Sequence, residues 1–116
     1  MNESDAEDAE ATVRAFYAAI DDGAYDRLRE LLAPEFVHHR PDRTLDGRER
    51  FVRFMREERP RTDTEHVVEA VAVAADRETV FVRGLLRAAD GETLFGFVDV
   101  HRVGTAGIEA LSTYTK

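Results

Sequence analysis

Asp99 is the residue whose surroundings in the sequence most suggest chemistry. It lies in the apolar segment 97–103, FVDVHRV. A carboxyl group on an apolar interior face is driven towards its neutral form, which can donate a hydrogen bond to a developing oxyanion. The alternative is an ionised carboxylate that pairs with Arg83 or Arg40 and has a structural role only.

Histidines are the candidates for a proton acceptor beside Asp99. His101 is two residues further along the predicted strand, so both side chains lie on one face and the carboxylate could orient the imidazole. The alternative for His101 is a half-exposed place at the end of the strand. His38 and His39 point to opposite faces of their strand, so one of them, with His38 as the candidate base, could face the same pocket. Beside them, Arg40 carries a permanent cation that can anchor a carboxylate or an enolate oxygen.

Composition excludes several other kinds of site. The chain has no cysteine, and Lys116 is its single lysine. Thiol nucleophiles, disulfides, thiolate metal sites and a lysine Schiff base are therefore excluded. A metal set of His38, Asp99 and His101 is conceivable, but its spacing matches no metal-binding motif. We expect no metal and no cofactor.

A set of large apolar side chains could line a pocket for a flat apolar ligand. Most of them must also contribute to the core, because the chain has no tryptophan. The set consists of Phe16, Tyr17, Phe51, Phe54, Met55, Phe81, Phe95 and Phe97.

Charge argues against a nucleic-acid or anionic-membrane partner. The 16 basic and 24 acidic residues give 16 − 24 = −8. Half of the basic residues lie in 40–61, where they could bind an anionic ligand or an RNA backbone, or form the solvated face of a helix. An acidic chain with arginine in place of lysine resembles the proteins of salt-loving archaea. The alternative explanation of this composition is a GC-rich genome. A melt in low and in molar KCl separates the two, because a non-halophilic domain gains little from the salt.

Length predicts a single domain over residues 1–116, with 43% hydrophobic residues for its core. No apolar run approaches the ~18 residues of a membrane span. The acidic segment 1–10 does not resemble a signal peptide, so we expect a cytoplasmic protein.

The first half of the chain has a helical pattern. Ser4 and Glu7 form a capping box, and Asp22-Gly23 ends the first helix. Its apolar face recurs at i, i+4, i+7, i+8 and i+11: Ala9, Val13, Phe16, Tyr17 and Ile20.

Shorter elements follow. A second helix from about Tyr25 ends at Ala33, because Pro34 disfavours helix before it. We predict a strand at 35–40, a loop at 41–47 and a third helix at 48–58.

A β pattern occupies the rest, with strands at 67–75, 79–89, 94–103 and 108–115 and a hairpin at Asp90-Gly91. Helices first and strands after, joined by short turns, predict an α+β fold with a mostly antiparallel sheet. Both faces of 94–103 are apolar, so helices should cover one face and a second copy of the chain the other. We therefore expect a homodimer.

Local sequences resemble the nuclear transport factor 2-like (NTF2-like) superfamily. Residues 13–23 (VRAFYAAIDDG) are similar to its first helix, and residues 25–37 (YDRLRELLAPEFV) to its second helix and first strand. Residues 45–49 (LDGRE) are similar to the entry to its third helix, and residues 97–103 (FVDVHRV) to a later strand. The nearest branch looks like the polyketide cyclase-like (SnoaL-like) and ketosteroid isomerase-like group. The resemblance implies a curved, mostly antiparallel sheet wrapped around helices, the cystatin-like cone, in the order ααβαββββ, with a pocket at its open end. It also implies a dimer through the outer sheet face.

Site residues carry over from the isomerases only in part. Their donor aspartate on the later strand matches Asp99. Their base, before a proline, matches Arg40, so that proton acceptor is replaced by a cation. Their tyrosine matches Phe16, with Tyr17 adjacent. A ketosteroid isomerase as such is therefore not expected.

Two functions remain open from the sequence. The first is a small-molecule pocket protein that acts as a cofactor-independent lyase, isomerase, cyclase or dehydratase by proton transfer, on an apolar or carboxyl-bearing ligand. The second is a non-catalytic binding or dimerisation module. An open cavity at Asp99 favours the first, whereas Asp99 in a salt bridge to arginine inside a closed cavity favours the second.

Overall fold

The structure, a computed structural model, describes residues 3–116. This part of the chain folds into three helices and six strands. In chain order these are α1 Glu3–Asp21, α2 Tyr25–Leu31, β1 Leu32–His39, β2 Thr44–Asp46, α3 Arg48–Arg53 with a π-helical continuation Phe54–Glu58, β3 Thr64–Val73, β4 Thr79–Ala88, β5 Thr93–Gly104 and β6 Gly107–Thr115.

Helix α1 forms where the 3.6-residue apolar pattern predicted it. Its pattern residues are buried, with Val13 fully so and Tyr17 4% exposed. Gly23 ends the helix at a φ of 66°, a left-handed conformation that glycine adopts without a steric cost. The Ser4 side chain of the predicted capping box lies outside the described side chains.

The next elements differ from the prediction in three places. Helix α2 ends at Leu31, and β1 begins at Leu32 with extended backbone, so Pro34 lies inside the strand and not after a longer helix. A three-residue strand, β2, occupies part of the predicted loop and pairs with β1 through Leu45 and His38. The predicted third helix has the expected ends, but its second half is π-helical.

The sheet has the order β2-β1-β6-β5-β4-β3. Its pairs are antiparallel except β1 with β6, which run parallel. The four later strands lie within three residues of their predicted ends, and the predicted hairpin turns at Gly91 with a φ of 90°. The α+β architecture with a curled, mostly antiparallel sheet is confirmed.

The core lies between the helices and the concave face of the sheet. Its largest fully buried side chains include Phe16, Phe36 and Phe51; the Phe51 ring on α3 stacks on Phe16 of α1 and meets Phe36 of β1 edge-on. No helix in residues 3–116 is both long and apolar enough to cross a membrane.

The outer face of the sheet leaves large apolar side chains exposed. Phe81 is 42%, Val98 41% and Tyr114 62% exposed. They lie on neighbouring strands, because Phe81 pairs with Val100 and Val98 pairs with Tyr114. We call Phe81, Val98, Val100 and Tyr114 the outer apolar patch.

Candidate functional site

A cavity of about 290 Å³ opens between the helices and the concave sheet face. Its walls are mostly aromatic and aliphatic. Among the described residues that line it, Asp99 is the only acidic one. The cavity is at the small end of the ~300–1,000 Å³ typical of ligand pockets. It has room for a molecule of one or two rings.

Strand β5 aims Asp99 into this cavity, because the side chains of a strand alternate and Phe97 and Asp99 share the concave face. Asp99 is 5% exposed. The Tyr17 hydroxyl lies 2.6 Å from Asp99 Oδ2, and the Thr113 hydroxyl lies 2.6 Å from Oδ1. Within residues 3–116, Asp99 makes no ion pair.

Burial raises the pKa of Asp99, although the hydrogen bonds from Thr113 and Tyr17 and the nearby charges of His66 and Arg40 act in the opposite direction. The pKa of Tyr17 is raised far above its usual range by burial and by the Asp99 charge, so Tyr17 remains a hydroxyl donor. Asp99 can therefore take up and release a proton at a higher pH than an exposed aspartate.

Two histidines extend this hydrogen-bonded chain. His38 Nε2 lies 2.8 Å from Thr113 Oγ1, and His101 Nε2 lies 2.8 Å from the Tyr17 oxygen. When Asp99 is ionised, it accepts both hydroxyl protons, so each imidazole must donate through Nε2–H. The Nδ1 atoms of both histidines are buried and have no hydrogen-bond partner in the described part of the chain.

These histidines are poor proton acceptors. Burial lowers the pKa of His101 to about 3, and burial together with the Arg40 charge lowers that of His38 to about 3. His38 lines the cavity, but His101 is fully buried behind Tyr17 and does not. A base at His101 would have to act through the Tyr17 hydroxyl.

Arg40 lies at the cavity wall where β1 ends. Its Nε donates to Asp42 Oδ1 at 3.2 Å, and its guanidinium carbon lies 4.9 Å from the centre of the Phe54 ring. Its two terminal nitrogens have no protein partner among the residues that the structure describes. The Arg40–Asp99 ion pair, which was the alternative to an acid role for Asp99, does not form, and a planar fork of donors is left for an anion.

The other predicted lining residues fall into two groups. Six contribute to the cavity wall: Phe16, Tyr17, Phe51, Met55, Phe95 and Phe97. Two do not. Phe54 lies beneath Arg40 and Arg43, and Phe81 belongs to the outer apolar patch, because the neighbouring Val80 and Val82 occupy the concave face of β4. Both of these placements correct the sequence prediction.

Sequence reasoning missed His66, which lines the cavity from β3. Its ring Nδ1 lies 2.6 Å from Asp21 Oδ1, and its backbone N–H donates to Asp21 Oδ2 at 2.9 Å. The two residues are 45 positions apart in the chain, so no spacing pattern could have brought them together. The one available signal was that Asp21 is an acidic residue at a helix C-terminus, where a negative charge is unfavourable.

Metal ligation is not supported by the geometry. Among residues 3–116, no three histidine, aspartate or glutamate side chains are grouped so that they could hold a metal ion. The conceivable set of His38, Asp99 and His101 is separated by the hydroxyls of Thr113 and Tyr17.

Comparison with known proteins gives one family and many similar folds. The profile of the SnoaL-like domain matches residues 13–108. No curated protein sequence matches the chain. An NTF2-like protein of unknown function from Cytophaga hutchinsonii has 17% identity and a TM-score of 0.79, covering 93% of this chain and 89% of that one.

Two further solved structures carry functional names. A candidate polyketide cyclase from Sinorhizobium meliloti has 15% identity and a TM-score of 0.77, with 90% of this chain and 94% of that chain covered. A candidate ketosteroid isomerase from Kribbella flavida has 18% identity and a TM-score of 0.76, with 95% and 78% covered. At these identities the similarity establishes the fold.

Proposed function

Because the chain belongs to the SnoaL-like domain family, we propose that its cavity binds a small, mostly apolar molecule with an acidic oxygen and that Asp99 exchanges a proton with it. The reaction class is that of a cofactor-independent lyase or isomerase. The relatives named cyclase and isomerase are consistent with this class.

The state of Asp99 is the observation that carries the proposal. Its carboxyl group faces an open cavity, accepts hydrogen bonds from two hydroxyl groups and pairs with no cation in the described residues. A structural carboxylate would be expected to pair with an arginine, and Arg40 is near enough for its charge to act on Asp99. Perturbed, cavity-facing carboxyl groups mark functional sites.

Arg40 supports an acidic ligand. Asp42 and the Phe54 ring fix its guanidinium, while its terminal nitrogens stay available at the cavity wall. Arg59 also lines the cavity and makes no ion pair in the described residues, whereas Arg61 pairs with Asp63. A ligand carboxylate at Arg40 would direct the apolar remainder towards the aromatic wall and Asp99.

Binding of 2-naphthoate and of its methyl ester tests the anchor. We expect Arg40→Ala to weaken binding of the acid by about tenfold or more, and to leave ester binding nearly unchanged. Arg43→Ala is the matched control, because Arg43 also pairs with Asp42 and stacks on Phe54 at 5.1 Å but does not line the cavity. Equal binding of acid and ester to wild type and Arg40→Ala would exclude the anchor.

Binding without catalysis is the second candidate. The low pKa values of His38 and His101, both about 3, favour it, because neither predicted base is an effective proton acceptor near neutral pH. In that case the cavity would hold its ligand unchanged, and substitution of Asp99 would affect affinity only.

We also propose a homodimer through the outer apolar patch. Exposed apolar area on a sheet face is an aggregation liability unless a partner covers it. A second copy of the chain presents the same patch to the first, as a two-fold interface requires.

A further inference from the structure

We propose that His66 is the general base of the cavity and that Asp21 positions it, an inference that rests on the proposed proton-transfer function. Neither residue is hydrogen-bonded to the Asp99 network. The pair supplies what that network lacks, a nitrogen lone pair on a partly exposed ring that lines the cavity.

The hydrogen bonds of Asp21 fix the tautomer of His66. Asp21 Oδ2 accepts the backbone N–H of His66 at 2.9 Å, and Oδ1 lies 2.6 Å from ring Nδ1. A carboxylate only accepts hydrogen bonds, so Nδ1 carries the proton. The lone pair is then on Nε2, which has no protein partner in residues 3–116.

The surroundings of His66 suit a base. Its ring contacts the rings of Tyr17 and Phe97 at centroid distances of 5.2 and 5.8 Å, and its side chain is 18% exposed. The imidazole therefore borders the cavity but is held by apolar walls and by Asp21. His38 differs, because its Nε2 is already bonded to Thr113.

Helix α1 assists the same step. It ends at Asp21 with no basic residue in its last turn, so its C-terminal partial negative charge is not neutralised within the helix. When His66 accepts a proton, the imidazolium lies against both the Asp21 carboxylate and this helix end. Both interactions stabilise the charged product of the proton transfer.

The proton transfer is balanced within the cavity. A new N–H bond forms at His66 Nε2 as a C–H bond next to a carbonyl group of the ligand breaks. The electron pair of that bond moves into a C=C bond, and the carbonyl pair moves onto oxygen, where a neutral Asp99 can donate a hydrogen bond. When the ligand also has a C=C bond between its β and γ carbons, the His66 N–H bond breaks as the proton moves to the γ carbon, the double bond shifts to the α and β carbons and the carbonyl re-forms, which completes an isomerisation. The substrate class is therefore a one- or two-ring β,γ-unsaturated carbonyl compound.

A chromogenic probe, 5-nitrobenzisoxazole, tests for a base in this cavity. The base removes the proton of its ring C–H bond. The electron pair of that bond becomes the third bond of a nitrile, and the N–O bond breaks to leave a coloured phenolate. We expect wild-type protein to exceed free imidazole at equal concentration by about 10²-fold. His66→Gln should reduce the rate to that of buffer, whereas His39→Gln, at an exposed histidine, should not change it. No acceleration by the wild type, or full activity of His66→Gln, would overturn the proposal.

The tautomer of His66 is a second measurable quantity, and it would not change if Asp21 had only a structural role. Nitrogen-15 NMR of the wild type should report His66 with a protonated Nδ1 and a bare Nε2. In Asp21→Asn, the amide oxygen satisfies the backbone N–H of His66, so the amide NH₂ faces Nδ1 and the proton moves to Nε2. Rate loss with this tautomer change supports positioning by Asp21. An Nε2–H tautomer in the wild type overturns it.

Failure of this inference is distinguishable from failure of the proposed function. Arg40-dependent binding of naphthoate with a rate independent of His66 retains the binding site and removes His66 as its base. A rate that depends on His66, without binding that depends on Arg40, would retain His66 as the base and exclude Arg40 as the anchor of the ligand.

Discussion

Asp99 combines two properties that oppose each other. Burial favours its neutral form, whereas the hydroxyl groups of Tyr17 and Thr113 favour its ionised form. Neither hydroxyl is fixed as a donor to Asp99, because each also has a histidine nitrogen at 2.8 Å. The network can therefore reorganise around either protonation state, as proton exchange with a ligand requires.

Asp99→Asn should be tolerated. The amide oxygen of asparagine can accept a hydrogen bond from one hydroxyl group, and its NH₂ can donate to the oxygen of the other. We therefore expect the free energy of unfolding at neutral pH to change by about 1 kcal/mol or less. Urea denaturation of the two proteins measures this. A loss of several kcal/mol would mean that Asp99 is an ionised structural group.

We also predict that the stability difference between Asp99→Asn and wild type depends on pH. The folded-state pKa of Asp99 is raised, so the folded protein holds this proton more tightly than the unfolded chain. The resulting stability is present below the unfolded pKa of about 3.9 and is lost as the pH rises through the folded pKa. Asp99→Asn should therefore gain stability relative to wild type as the pH rises from about 4 through the raised folded-state pKa of Asp99. A relative loss over this range would contradict the raised pKa.

Strand parity decided which residues of the site could be found from the sequence. The placement of Asp99 with Phe97 on one face follows from two-residue alternation. Phe81 was misplaced because it was chosen for its size, although alternation along β4 places it on the face of Arg83 and opposite the buried Val82. The Asp21–His66 pair depends on the packing of α1 against β3, a contact that no local pattern encodes.

At the scale of elements, a close approach between strands shapes the cavity wall. Gly84 on β4 pairs with Phe97 on β5, beside the irregular pairing of Val68 and Ala70 on β3. A Cβ atom at Gly84 would overlap the Val67 carbonyl oxygen and lie 2.9 Å from Cζ of Phe97. Glycine here lets the Phe97 ring lie flat against the sheet and line the cavity.

Gly84→Ala should destabilise the fold by about 1–3 kcal/mol, because a backbone oxygen has to move. Gly96→Ala is the control, since its added Cβ meets only the Gly84 oxygen at an ordinary 3.7 Å. We expect it to change stability by about 0.5 kcal/mol or less. Equal effects of the two substitutions in thermal melts would contradict this account of the strand approach.

Two elements escaped prediction for physical reasons. Strand β2 has three residues and is formed by pairing with β1, not by its own propensity. The π-helical segment at 54–58 keeps the apolar pattern of an α-helix, so the sequence does not distinguish the two. It carries Met55, which lines the cavity.

For the whole molecule, the outer apolar patch makes the assembly testable. We expect light scattering to give twice the 13.1 kDa chain mass. Val98→Asp, in the middle of the patch, should give a monomer because it would bury a charge at the interface. Ala11→Asp, at an exposed position of α1, is the control and should remain dimeric. A wild-type monomer at working concentration and high salt would refute the dimer.

The proposed function requires a cavity that holds an acidic, mostly apolar molecule between Arg40 and Asp99. A crystal structure of the full chain with 2-naphthoate tests this most directly. The predicted complex has the rings against Phe97 and the carboxylate within hydrogen-bond distance of the Arg40 terminal nitrogens. A cavity that stays empty at saturating naphthoate, or an Arg40 turned to Asp99 in a salt bridge, would contradict the proposed function.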